Sequence, residues 1–303
     1  MAKGYALTAK QPKRVPISTL LAYLALIVWA LVTLFPIVWA YLSSFKAPAD
    51  VFLIPPKFIF LPTLHNYLEL FNLAPPSELE NTGSSSTAAI SSTFPRYLVN
   101  SVIVSIGTTI LALLVGSLAA YALTRFRLPL RGTILIGMFL TRLIPPIAIL
   151  VPLYLVWRNL GLIDTQVALI ITYLTFSIPF VTWLMRGFLL DIPVDLEEAA
   201  MTDGCSRLGA LRRVILPLAA PGLATTAIFA LIGAWNEFLF AVILTTENAK
   251  TLSPAILEFI TDKAILWGRL YAAGDLIMLP VLVFGLLMQR HLARGLSGGA
   301  VKG

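Results

Sequence analysis

Long apolar stretches recur along the chain at about 17–42, 97–123, 133–157, 166–185, 221–244 and 271–288. Roughly 20 apolar residues carry a helix across the hydrocarbon core of a bilayer. No stretch alternates apolar with polar positions, and backbone groups in lipid must bond within their own segment, so the pattern predicts helices. The expected architecture is all-α: a polytopic membrane protein of six transmembrane helices with both termini cytoplasmic. A tail covers 1–16 and the membrane domain 17–303. That domain carries outer loops at 43–96 and 245–270, an inner loop at 187–218 and an inner tail at 289–303. The first stretch is too long for a cleaved signal peptide and holds no small-residue cleavage site, so it reads as a retained helix. Pro36, Pro145, Pro146, Pro152, Pro179 and Pro280 fall inside the stretches, where neighbouring helices can satisfy the freed carbonyls.

Composition agrees. Of 303 residues, 58% are apolar and 12% charged, with a mean hydropathy of +0.87. Soluble domains carry about 25% charge. The net charge of +7 does not read as a nucleic-acid surface, because the cations sit in short segments flanking the apolar stretches. With the N-terminus inside, the inner segments hold 14 Lys and Arg and the outer segments 7, the bias that cytoplasmic loops show. Cys205 is the single cysteine and His65 and His291 the only histidines, which leaves no disulfide and no metal-ligand spacing. The long outer loop has a polar centre at 81–87, expected to be flexible. The second outer loop mixes apolar and charged residues over 252–267 and can hold a short helix. No internal repeat is evident.

The loop between the fourth and fifth stretches carries the most local information. Asp195 can cap a helix, with Glu198 three residues on as in a capping box. Leu196, Ala199 and Ala200 then share a face, and Gly204 suits the stop position, where φ is often positive. A second short helix fits 207–216, with Ser206 as its cap, Leu208, Leu211 and Ile215 on one face, and Pro217 separating it from the next span. The product is a helix–turn–helix with small residues on its first face. It serves either as a docking surface or as an amphipathic linker on the membrane.

Glu198-Ala199-Ala200, three residues, Gly204, nine residues, then Val214-Ile215-Leu216-Pro217 resembles the EAA loop of ATP-binding-cassette importer permeases, with Val214 standing where that pattern has Ile. Gly233-Ala234-Trp235-Asn236-Glu237-Phe238 resembles the carbohydrate-uptake class. The tail 294–303 and the six-span plan resemble the smaller permease subunit of maltose-type transporters. The resemblance implies a coupling helix that docks on a separate ATPase, with Glu198, Ala199, Ala200, Gly204, Leu216 and Pro217 carrying the coupling. It implies as partners a second related permease, an ATPase dimer, an extracytoplasmic solute-binding protein, a sugar and the cell membrane. It also implies that the tail reaches between the ATPases and that the segment between spans five and six reaches into the binding protein. No phosphate loop, nucleophile elbow, zinc signature or dinucleotide fingerprint is present. The chain is therefore expected not to be an enzyme and to bind no cofactor, with ATP and Mg on the partner ATPase.

Arg142, Glu237 and Asp275 are ionisable groups within or at the edge of apolar stretches. Such groups face a cavity or a partner. Trp235 offers an aromatic face to a sugar ring, and Asn236 and Glu237 suit its hydroxyls. These three with Arg142 are the candidate substrate path. The competing reading is hydrogen bonding between helices, with Arg142 as counter-ion to Glu237 or Asp275 and Asp275 at the interface. A permease for another small solute, or a stand-alone secondary transporter, is the alternative. The latter would need inverted repeats or midplane ion sites.

Overall fold

The computed structural model describes residues 17–51, 53–75, 85–260 and 265–299, with side chains absent from the description over 85–92 and 288–299. The tail 1–16, most of the polar stretch at 81–87 and the end of the tail beyond 299 lie outside the described residues. Twelve helices follow in order among the described residues: α1 (Ile17–Ser44), α2 (His65–Leu70), α3 (Ser85–Arg125), α4 (Arg131–Leu143), α5 (Pro146–Asn159), α6 (Gln166–Leu190), α7 (Asp195–Thr202), α8 (Arg207–Leu218), α9 (Ala220–Trp235), α10 (Leu239–Leu244), α11 (Leu252–Ala255) and α12 (Trp267–Gly299).

Four helical segments are long and apolar enough to cross a membrane: 17–44, 93–125, 166–190 and 267–287. The third predicted stretch is not one straight helix. It breaks into α4 and α5, which meet at 92°. Two consecutive prolines cause this, because each forces the residue before it out of the helical region. Ile144 (ψ 122°) and Pro145 (ψ 129°) are both extended. The fifth stretch also breaks, at 236–238, into α9 and α10. No proline accounts for it. α8 meets α9 at 76°, and Leu211–Ile215 forms a π-turn within α8. α3 begins at Ser85, so the long loop ends earlier than 96, and it contains α2.

α3 and α6 make the largest helix–helix contact and form the axis of the fold. Gly116 presses on Val181, where a Cβ would lie only 2.6 Å from Val181 Cγ1. Small residues at such crossings let helices approach closely. Three apolar clusters follow α3 along its length. Phe94 and Tyr97 join Leu70, Trp235, Leu252 and Phe259. Val104 joins Trp157, Leu169, Tyr173, Phe240 and Leu244. Ala120 and Tyr121 join Val181, Met185, Leu189, Leu211 and Ile215. The short helices α2, α8, α10 and α11 thus cover the two ends of the α3–α6 pair. The apolar length of α1 is left uncovered by the rest of the chain.

Candidate functional site

The α7–α8 hairpin is closed by backbone chemistry. Gly204 has φ +90°. Its N–H donates to the Met201 carbonyl (3.1 Å) and the Cys205 N–H to the Ala200 carbonyl (3.0 Å). Together these make a Schellman stop with glycine at the left-handed position. Ser206 caps α8, its hydroxyl accepting from the Gly209 N–H at 3.2 Å. The expected capping box at Asp195 does not form. The helical turn begins a residue earlier, where the Val194 carbonyl accepts from the Glu197 and Glu198 N–H groups. Asp195, Glu197 and Glu198 fill the first turn of α7 instead, where carboxylates favour the positive end of the helix dipole.

The two adjacent glutamates do different things. Glu198 is exposed with Leu196 and Ala199, and Ala200 is half-buried beside them. These form the outward face of the hairpin. Glu197 points inward and is 3% exposed. It accepts a hydrogen bond from the Tyr121 hydroxyl, and the Arg125 guanidinium lies 3.2 Å from its other oxygen. Arg125 also donates to the Ile192 carbonyl at 2.8 Å. Arg207 of α8 lies 4.9 Å from the centre of the Phe126 ring, which packs edge-on against Tyr121. Leu211 and Ile215 are buried beneath, whereas Leu208 is exposed and leaves the face expected for it. Leu216 is half-buried and Pro217 exposed, at the passage from the π-turn toward α9. The hairpin is thus bolted to the end of α3 while its small-residue face stays open. Sequence reasoning missed Glu197, Arg125 and Tyr121.

The four candidate path residues do not form one constellation. Trp235 is buried in the cluster with Phe94 and Phe259. Its indole N–H donates to the Ile277 carbonyl of α12 at 2.9 Å, so it joins helices and does not face a cavity. Asn236 is exposed and its amide returns to the Ile232 carbonyl (3.1 Å) at the end of α9. Glu237 spans the break, its two oxygens accepting from the N–H groups of Phe240 (2.9 Å) and Ala241 (3.1 Å). These satisfy the first amides of α10, which accounts for a break without proline.

Arg142 and Glu237 line the same cavity, of ≈ 350 Å³, whose other walls include Tyr173, Ser177, Gly233 and Phe240. The guanidinium donates to the Phe176 carbonyl (3.3 Å) and lies 4.7 Å from the Phe180 ring centre. Among the described residues no ion pair joins Arg142 to Glu237 or Asp275. Asp275 accepts from the Tyr67 hydroxyl at 2.8 Å, which also bonds Ser44 at 2.8 Å. Burial, with the Asp275 bond adding to it, pushes the Tyr67 phenol up, so it remains a donor. Asp275 therefore ties α12 to α2 and the end of α1.

A family model described as "Binding-protein-dependent transport system inner membrane component" matches residues 112–298. The chain is 40% identical to the probable ABC transporter permease protein y4oR of Sinorhizobium fredii, over 91% of this chain and 92% of that one. It is 38% identical to the trehalose transport system permease protein SugB of Mycobacterium tuberculosis, over 69% and 78%. It is 34% identical to the trehalose/maltose transport system permease protein MalG of Thermococcus litoralis, over 94% and 97%. Its fold is similar to a chain in the crystal structure of a bacterial ABC transporter that imports alginate, with TM-score 0.70, 21% identity, and 93% and 99% of the two chains covered.

Proposed function

The chain belongs to the family of binding-protein-dependent transport system inner membrane components, and on that footing we propose that it forms half of the translocation path of an ATP-driven sugar importer. ATP hydrolysis belongs to a separate ATPase chain, and this chain is not an enzyme. The open face of Leu196, Glu198 and Ala199, held rigid by the Gly204 stop and the Glu197–Arg125 anchor, is the observation that carries the coupling role. An ATPase pressing on that face moves the end of α3, and α3 moves with α6. A second permease subunit completes the pore, and rigid-body rocking exposes the path to either side. Coupling is then a population shift between inward- and outward-facing states, biased by nucleotide.

Read this way, α4 with α5 makes one crossing and α9 with α10 another, which with the four long helices makes six, with both termini on the ATPase side. ATP and Mg sit on the partner chain. The sugar passes beside the cavity bounded by Arg142, Tyr173, Ser177, Gly233 and Glu237. Trp235 and Asn236 support that wall without touching the substrate. The relatives that handle trehalose and maltose support the sugar class. The test is purification of the tagged chain from membranes, followed by an ATPase assay on the assembled complex with a panel of sugars, amino acids and peptides. Co-purification of an ATPase chain and stimulation by a sugar-loaded binding protein is the expected result. A chain that purifies alone and transports without nucleotide would refute the reading, and stimulation by amino acids alone would move the substrate class.

A further inference from the structure

Asp164 occupies the short connection between α5 and α6, and the sequence reading assigned it nothing. α5 ends in a second Schellman stop: the Gly161 N–H (φ +67°) donates to the Arg158 carbonyl at 3.1 Å and the Leu162 N–H to the Trp157 carbonyl at 2.9 Å. Asp164 itself has φ +60°, and its N–H donates to the Leu244 carbonyl at 2.9 Å. Its carboxylate then receives six hydrogen bonds from four consecutive residues after α10. Oδ1 accepts from the N–H groups of Thr246 (3.1 Å) and Ala249 (3.0 Å). Oδ2 accepts from the Thr246 hydroxyl (2.9 Å), the Glu247 and Asn248 N–H groups (3.3 and 2.9 Å) and the Asn248 amide (3.0 Å).

The same segment is gripped from α3. The Asn100 amide donates to the carbonyls of Asn248 (2.8 Å) and Lys250 (3.0 Å), and Arg96 donates to the Asn248 side-chain oxygen at 2.7 Å. The Ser101 hydroxyl accepts from the Leu252 N–H at 2.7 Å. Residues 245–250 are therefore fixed on both sides, yet Thr246, Glu247 and Asn248 remain exposed. Such a segment has lost its conformational freedom before any partner arrives, and that preorganisation strengthens binding.

The position says which partner. Asp164 precedes α6 and the coupling hairpin follows it. The 25 residues of α6 span about 37 Å at 1.5 Å per residue, the full depth of a bilayer core. The platform thus faces the side opposite the ATPase, where a binding-protein-dependent permease meets its binding protein. We propose that Asp164 is the positioning residue that holds 246–249 as a preformed docking platform for the solute-binding protein. This rests on the importer reading above.

The test is a titration of ATPase activity in the complete complex, in lipid nanodiscs, with the sugar-loaded solute-binding protein that the wild-type complex retains on affinity purification. Asp164→Ala raises the half-saturating concentration of binding protein tenfold or more, while the rate at saturation stays within about twofold of wild type, because docking and not turnover is altered. Asp164→Asn keeps an acceptor and falls between the two. A merely structural role would lower the saturated rate and leave the half-saturating concentration where it was. That result, or an unchanged value in whichever variant assembles, overturns the proposal. A wild-type complex that no binding protein stimulates would instead refute the importer reading.

Discussion

Gly204 allows the coupling role to be tested by conformation alone. At φ +90°, an added Cβ would meet no atom within 4 Å. Alanine there removes no contact and creates no clash. What remains is the cost of holding an L residue in the left-handed region, about 1–2 kcal/mol. A difference of that size changes a conformational equilibrium by roughly 5–30-fold. The alternative state is one in which φ returns to negative values, the bonds from Gly204 to Met201 and from Cys205 to Ala200 are lost, and the hairpin leaves at a different angle. The docking face and α8 then no longer hold the relative orientation that the ATPase meets.

Binding-protein-stimulated ATPase activity in proteoliposomes should therefore fall by about 5–30-fold in Gly204→Ala, with membrane insertion and subunit assembly intact. Gly204→Asn should lose less, because Asn visits the left-handed region more readily. Gly204→Asp adopts the left-handed turn as Asn does but adds a carboxylate at the negative end of α7, unfavourable by about 0.3–1 kcal/mol, and should lose more uptake than Gly204→Asn. Gly161→Ala imposes the same kind of strain, also with no atom within 4 Å, at the other end of α6. It should lower thermal stability without reducing ATPase activity at saturating binding protein. Normal uptake by Gly204→Ala, or equal losses in the Ala and Asn variants, would show that the left-handed turn does not set the coupling geometry.

Glu197→Ala strands the Arg125 guanidinium and the Tyr121 hydroxyl in a buried site, and breaking a buried pair in this way costs about 3–5 kcal/mol. A thermal-unfolding assay should show the loss, whereas exposed Glu198→Ala should change stability by less than about 0.5 kcal/mol and still impair uptake. Gly222→Ala places a methyl into the Phe188 ring; overpacking of this kind costs about 1–3 kcal/mol, and unfolding of the purified complex checks it. Burial alone would raise the Asp164 carboxyl, but the N–H groups of Ala249, Asn248 and Thr246 and the Thr246 hydroxyl hold it far below the usual carboxylate range. A depressed native pKa contributes stability above the unfolded value of about 3.9 and loses it only as pH falls toward the native value. With Arg96, Glu247, Lys250 and Glu258 as the other charges near the platform, the Asp164 contribution to docking should be flat from pH 8 to pH 5. A difference between wild type and Asp164→Ala that vanishes on going from pH 7 to pH 5 would contradict the clamp.

What the sequence disclosed and what it hid divide by range. The membrane helices were legible because lipid and bundle interior both demand apolar side chains, and the hairpin because Gly204 and Ser206 act on amides one to five residues away. The Pro145–Pro146 break was legible as a weakness, though not as a 92° bend. Adjacent residues were where the sequence could not choose. Successive side chains on a helix stand about 100° apart, so neighbours do not face the same way. Trp235 is buried at the end of α9 while Asn236 beside it is exposed, and Glu197 is buried while Glu198 beside it is exposed. Periodicity says that such neighbours must separate; only the packing says which one turns inward. Trp235 turned to the Ile277 carbonyl, and Glu197 turned to Arg125.

Asp164 is the extreme case. Its six bonds reach residues 82 to 85 positions away, so nothing local marks it. Its sequence neighbourhood offers only a polar residue between two apolar stretches, which reads as a solvated turn. The clamp exists because α6 and α10 bring their ends together through the buried Trp157–Leu169–Leu244 cluster. The same packing that hides Asp164 from the sequence makes its effect strong. A carboxylate held beside a fixed bundle meets amides that are already in place, so ordering the platform requires no further rearrangement when a partner docks.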